Sequence, residues 1–221
     1  MTARRVSSSR SESKEITRQA LLRAALKLLA RNTFDSLSLR EVTRQAGISP
    51  TAFYRHFDDM EELGLVLVEE SFGSLREMLR DVRVQSALDG DTIKQSMEVV
   101  HLHVQRQGLH FRFIARERYG GVRRLRRAIR RELQLFADEL AVDLIVMEYV
   151  RDWSPEDRRA LAGLIVETVV HMVAELLDAD PDEQDLLVRR TERQLRLAAL
   201  GVPAWESRVP RARVEPEYAA D

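Results

Sequence analysis

No cysteine occurs anywhere in the 221 residues, so neither a disulfide framework nor a thiolate metal site can form, and a reducing cytosol is the natural compartment. Histidine is sparse, at five. Only His101 and His103 lie close together, and two apart on a helix they point to different faces and cannot chelate jointly; no metal and no cofactor are expected. No run approaches the roughly 20 apolar residues that cross a bilayer, and the Arg- and Ser-rich N-terminus lacks an apolar leader core. The chain reads as unexported and cytoplasmic. Hydrolytic signatures are missing as well: there is no Gly-x-Ser-x-Gly elbow, and Glu167 with His171 is a simple i,i+4 pair. No catalytic residue is assigned. Period-2 alternation of any length is absent, which leaves an all-α architecture.

What is present is an uneven charge. Residues 1 to 57 hold eleven Lys or Arg against four Asp or Glu, a net of +7, while the remainder holds 24 against 32, a net of −8. The overall pI of 6.6 hides this division. A basic head on an acidic body points to a polyanion as the head's partner, because binding phosphates releases counterions.

The head contains two short amphipathic patterns hinged at Gly47. Ser38 and Glu41 have the spacing of a capping box, and Leu39, Val42 and Ala46 recur at helical intervals behind it. Gly47 follows where a left-handed turn is cheapest. Ser49 then caps a second helix with Pro50 at its first position. On this helix Phe53 and Phe57 share one side, facing the first helix, while Thr51, Ala52 and Arg55 fall opposite, with Tyr54 and His56 on the flanks. This is the pattern of a helix-turn-helix, whose second helix enters the major groove while its flanks meet phosphates.

Around it, residues 1 to 12 read as a flexible basic tail in which Arg4, Arg5 and Arg10 form an arm. A helix from about Ser13 to Arg31 carries an inner stripe of Ile16, Ala20, Leu21, Ala24, Leu28 and Leu29. The head domain spans 13–58 and a helical body spans 59–200. Within the body, Asp58 and Glu61 open a long linking helix to about Arg83. Amphipathic segments follow at 92–107, 110–119 and 122–150. Ser154-Pro155 and Asp180-Pro181 open two last helices, 155–178 and 182–200. Three prolines beyond Gly201 make 201–221 an extended tail.

The segment A-G-I-S-P-T-A-F-Y-R-H-F, followed by D-D-M-E-E-L, resembles the TetR family of bacterial transcription regulators. The resemblance implies that Arg40, Pro50, Thr51, Ala52 and Arg55 face bases and that Ser38, Tyr54 and His56 face phosphates; Arg44 and Ser49 complete the expected DNA-contacting set. Met60 departs from the pattern, standing where many members carry a phosphate-touching lysine. A narrower likeness, through F-Y-R-H-F-D-D-M-E-E-L-G-L and F-R-F-I-A-R-E-R-Y-G, is to the FabR and DesT branch. It implies a repressor of genes for unsaturated fatty acid synthesis or desaturation that senses long-chain acyl-CoA by its saturation, with double-stranded pseudo-palindromic DNA as partner. The same head also serves sensors of drugs and other hydrophobic compounds, and that alternative stays open.

An acyl thioester needs an apolar tunnel with a cationic mouth. Candidates for the tunnel are Phe72, Leu75, Met78 and Leu79 on the linking helix, then Met97, Val100, Val104, Phe111, Phe113, Ile114, Phe136 and Leu140, all of which would equally suit plain core packing. Residues 116 to 131 hold eight arginines against Glu117 alone, and Arg116, Arg123 and Arg127 are the candidate phosphate ligands; a solvated face is the alternative. Leu161, Ile165, Thr168, Val169, Met172 and Leu176, with Leu187 and Gln194, form the expected dimer face. The physical case for a homodimer is independent of the resemblance: one helix-turn-helix reads few base pairs, and two heads about 34 Å apart gain specificity.

Overall fold

The computed structural model describes residues 3–83 and 90–207, with the backbone alone at 3–11, 77–83 and 90–91. Eight helices are described: α1 (Ala3–Leu29), α2 (Leu39–Ala46), α3 (Pro50–Phe53), α4 (Met60–Arg83), α5 (Gly90–Glu117), α6 (Arg123–Asp143), α7 (Pro155–Leu176) and α8 (Pro181–Gly201). No strand occurs among the described residues, as the absence of alternation requires. Nor, among them, is any helix long and apolar enough to cross a membrane.

The boundaries differ from the sequence expectations at definable points. α1 begins at Ala3, so the backbone of the expected basic arm is helical; Ile16, assigned to its inner stripe, is 66% exposed. α4 is capped by Asp59, whose Oδ1 accepts the Glu62 amide at 2.8 Å, one residue later than the Asp58–Glu61 spacing implied. The two segments expected at 92–107 and 110–119 form one helix, α5, interrupted at Gln107 (φ −124°, ψ 29°) beside Gly108. α6 stops at Asp143 and gives way to a 3-10 turn, Leu144–Val146. The chain after Gly201 is not simply extended either. Val202–Ala204 form a 3-10 turn, Trp205 packs on Trp153 at 6.4 Å, and the Ser207 hydroxyl donates to Asp157. Residues 208–221, the rest of that expected tail, lie outside the described residues.

Head and body share one core. Leu21, Leu22, Ala25 and Leu26 of α1 meet Val42, Phe53 and Phe57 of the helix-turn-helix, and the cluster continues through Leu63 and Leu67 of α4 into Leu125 and Ile129 of α6. Phe34, in the 3-10 turn Phe34–Ser36 between α1 and α2, is 3% exposed and stands at the join. Its ring fills the space beside Gly64: a Cβ there would lie 2.6 Å from Cζ of Phe34 and 3.0 Å from Leu125. In the body α6 packs on α7, α5 lies against α4 and α8, and α7 also touches α8. A smaller cluster of Ala141, Leu144, Val150, Ala162 and Val202 closes the far end.

Because aromatic and leucine carbons occupy the volume at Gly64, Gly64→Ala is expected to lower folding stability by about 1–3 kcal/mol, the usual range for overpacking a core, measurable as a lower urea midpoint with an unchanged slope.

Candidate DNA-reading surface and effector cavity

The reading unit follows the local chemistry of its sequence. The Ser38 amide donates to Glu41 Oε2 at 2.9 Å and the Ser38 hydroxyl accepts the Glu41 amide at 3.3 Å, a reciprocal box that satisfies orphan donors of α2. Gly47, at φ 72° and ψ 28°, ends the helix in the left-handed conformation, the only positive φ among the described residues. The Ser49 hydroxyl accepts the Ala52 amide at 3.2 Å and Pro50 opens α3. The regular helix is short, and hydrogen-bonded turns carry the chain on to Phe57. Phe53 and Phe57 are fully buried, their rings 5.6 Å apart.

With those rings inward, the opposite side must face out. Ser38, Arg40, Arg44, Ser49, Pro50, Thr51, Tyr54 and Arg55 are all exposed, and Ala52 and His56 are half-buried. Tyr54, 61% exposed, rests edge-on against Phe53 with its hydroxyl free to reach outward. The structure thus brings all ten expected DNA-facing residues to the surface of one unit.

Two cations of α1 that the pattern reading missed stand beside this unit. Arg18 of α1 donates to the His56 carbonyl at 3.2 Å and lies over the Phe57 ring at 4.7 Å. Lys14, one turn earlier, contributes to the positive field at His56. Burial holds the His56 imidazole below its ordinary pKa, and Lys14, Arg18 and Arg55 push it the same way. The i,i+4 spacing of Lys14 and Arg18 was visible, but not the element they would face. Glu15 opposes them, and an approaching phosphate would add to that counter-charge beside His56.

In the body, a cavity of about 160 Å³ opens between α4, α5, α6 and α7. Its size resembles the roughly 150 Å³ of an apolar protein cavity that stays dry and takes up benzene. Leu75, Met97, Val100, Phe111, Ile114, Phe136 and Leu140, all expected tunnel residues, line it, and Asp143 is the one charged residue in the wall. The other candidates fall elsewhere. Phe72 is fully buried behind Phe136, ring centroids 5.3 Å apart, and Val104 and Phe113 are core residues outside the lining. The side chains of Met78 and Leu79 lie outside the described residues.

A second, polar cavity of about 370 Å³ adjoins the first, and Leu133 and Val166 belong to both walls. Arg118, Arg126 and Arg130 line it, with Glu167 opposite and paired to Arg118 at 2.7 Å. Glu167 thus turns to α5, and His171 lies instead 3.7 Å from Glu175. The arginines that line this cavity are neighbours of the expected ones. Arg116 donates to the Ala30 carbonyl at 3.2 Å, while Arg123 and Arg127 are exposed on a different face of α6. A 100° turn per residue explains the exchange, since Arg126 and Arg130 sit beside buried Leu133, whereas Arg123 and Arg127 sit beyond them.

The residues of the expected dimer face take several placements in the single chain. Ile165 and Val169 line the apolar cavity, Met172 and Leu176 are 1% and 2% exposed within the core, and Leu161 and Leu187 are half-buried against the two clusters. Gln194 is exposed, and Thr168, like Ile165 and Val169, is half-buried. The apolar residues left outside are Leu164 on α7 and Leu186, Leu197 and Leu200 on α8, 51–75% exposed. Period alone could not say which side of a helix apolar all round faces inward.

Residues 21–65 match the family model described as bacterial regulatory proteins of the tetR family. The head is a TetR-family DNA-binding domain. The TetR-type fold extends over the whole molecule: the fatty acid degradation regulator FadR from Bacillus halodurans superposes with a TM-score of 0.66 at 16% identity, over 87% of this chain and 97% of that one. FadR from Bacillus subtilis, in complex with stearoyl-CoA, gives 0.64 at 18% identity, over 81% and 96%. A TetR-family regulator from Syntrophomonas wolfei gives 0.67 at 13% identity, over 85% and 96%. At 13–18% identity the likeness in the body is one of fold.

A phosphate beside His56 favours the imidazolium, so its folded pKa, depressed in free protein, rises on binding and a proton is taken up. Affinity for specific DNA is expected to increase as pH falls from 8 towards 6, and His56→Gln should flatten that slope in fluorescence anisotropy. Arg55→Ala should weaken specific binding by about 1–3 kcal/mol, the worth of one good base contact, leaving the oligomeric state unchanged in sedimentation.

Proposed function

We propose that this TetR-type regulator is a homodimeric repressor whose grip on a pseudo-palindromic operator is set by long-chain acyl-CoA, and that it governs genes of unsaturated fatty acid synthesis or desaturation. The observation that carries the effector class is the juxtaposition of an apolar cavity with an arginine-lined one, Leu133 and Val166 lining both. An acyl chain suits the first and the phosphates of coenzyme A suit the second. That the FadR of Bacillus subtilis holds stearoyl-CoA supports the reading.

The inner cavity is short for a palmitoyl or oleoyl chain, so a long chain has to swing Leu133 and Val166 aside to join the two spaces. A straight saturated chain and a bent unsaturated one fill the widened space differently. That difference in affinity between two conformations is what shifts an equilibrium, since equal binding to both would shift nothing. The homodimer follows from Leu164, Leu186, Leu197 and Leu200, which leave an apolar stripe on α7 and α8 in water.

Titrating palmitoyl-CoA, palmitoleoyl-CoA and oleoyl-CoA while following operator affinity tests the assignment. Opposite responses to saturated and unsaturated chains are expected; equal responses would point instead to a regulator of fatty acid breakdown, which has to meet every chain. Arg126→Ala with Arg130→Ala should weaken acyl-CoA binding roughly tenfold, about 1.4 kcal/mol, with little effect on free palmitate. Leu197→Arg with Leu200→Arg should shift sedimentation from dimer to monomer.

A further inference from the structure

Three consecutive residues at the end of α5 reach three different places. Arg116 Nη1 donates to the carbonyl of Ala30, just past α1, at 3.2 Å. Glu117 Oε1 accepts the backbone N–H of Phe34, in the turn that leads to α2, at 2.9 Å. Arg118 Nη2 donates to Glu167 Oε2 of α7 at 2.7 Å, in the wall of the cationic cavity. Two side chains hold the DNA-reading head and the third belongs to the effector mouth.

The middle contact is buried. Glu117 is 1% exposed, and its second oxygen is buried without a hydrogen-bond partner. Burial pushes its carboxyl pKa up, opposed by the Phe34 amide, while nearby Asp35 pushes it further up. A buried carboxylate that needs its one donor is costly to detach, so displacement of α5 at this point is passed to Phe34 rather than lost in solvent. The two glycines after it close the joint: side chains at Gly120 and Gly121 would collide with Glu117 and Asp35 respectively.

The same half-helix also forms cavity wall. Beyond the break at Gln107, α5 carries Phe111, Ile114 and Ala115 into the apolar lining before it reaches Arg116. A chain pressing on Phe111 and Ile114 and an anion drawing Arg118 from Glu167 both act on one segment of about three turns.

We infer that residues 116–118 form a lever between effector and DNA, in which Glu117 is the positioning residue that ties the α1–α2 turn to the state of the Arg118–Glu167 pair. This rests on the anionic-effector reading above, and it places the coupling at the end of α5. Glu167 acts as the internal counter-ion that an effector phosphate replaces.

A double-mutant cycle in the effector-free, full-length protein tests the lever without any ligand. The DNA is a duplex that the parent protein selects from random sequence. Glu167→Gln is expected to shift affinity for that duplex by about fivefold or more, within the usual range of allosteric coupling. In the Glu117→Ala background the same change should shift it by less than about twofold. Equal shifts in both backgrounds overturn the lever. Should Glu117→Ala fail to fold, Glu117→Gln, which keeps the size and one acceptor oxygen but loses the charge, should at least halve the shift, and an undiminished shift overturns the lever. Palmitoyl-CoA binding is measured by calorimetry in parallel. The parent and Glu117→Ala are expected to bind it alike, while only the parent changes its DNA affinity in response. A parent that binds no palmitoyl-CoA overturns the effector reading alone, because the cycle still decides the lever.

Discussion

Phe34 is the contact on which the remaining structure depends. Its ring locks against Gly64 and Leu125, and its amide is held by Glu117, so one residue in a three-residue turn fixes α1, α2, α4, α5 and α6 relative to one another. With it, head and body share a continuous hydrophobic cluster, and the angle at which the reading helix is presented becomes a property of the whole molecule. Gly64 is required by this arrangement: any side chain there would occupy the volume of the ring.

A regulator must be rigid where it reads and yielding where it senses. The reading unit is fixed by short-range chemistry: a capping box, a left-handed glycine, a serine cap and two buried phenylalanines. The sensing part is less complete. A core cavity forfeits dispersion contacts and leaves the elements around it room to move. α5 is already broken at Gln107, so its second half can respond separately from its first. These weaknesses are concentrated on helices that also meet the head.

Electrostatics divides the labour again. Cations at the head, including Lys14 and Arg18 of α1, converge on the backbone of the reading segment, where they favour any polyanion. Inside the acidic body, four of the eight arginines in the arginine-rich stretch are engaged. Arg116 holds Ala30, Arg118 holds Glu167, Arg124 pairs with Glu61 at 2.7 Å, and Arg126 donates to the carbonyls of Gly120 and Gly121. The exposed ion pairs among them contribute little to stability, being screened by water. Their weight lies in placing guanidinium groups around one polar cavity.

The sequence by itself determined the reading head and the helical architecture, because caps, glycine turns and 3.6-residue periodicity act within a few residues. Ser38 with Glu41, Gly47, Ser49 with Pro50, and the Phe53–Phe57 pair could be placed without reference to any distant part of the chain. The helix starts at Pro155 and Pro181 were equally local, with Ser154 and Asp180 before them. What only the tertiary structure decided was direction on helices with more than one plausible inner side. Ile165 and Val169 line the apolar cavity, Arg118, Arg126 and Arg130 rather than Arg116, Arg123 and Arg127 line the second cavity, and Phe72, Val104 and Phe113 go to the core. Those outcomes depend on which helix packs against which, a long-range matter that periodicity does not encode. Glu117, a lone acid among eight arginines in the sequence, is the plainest case: nothing near it in the chain says that its partner is the amide of Phe34.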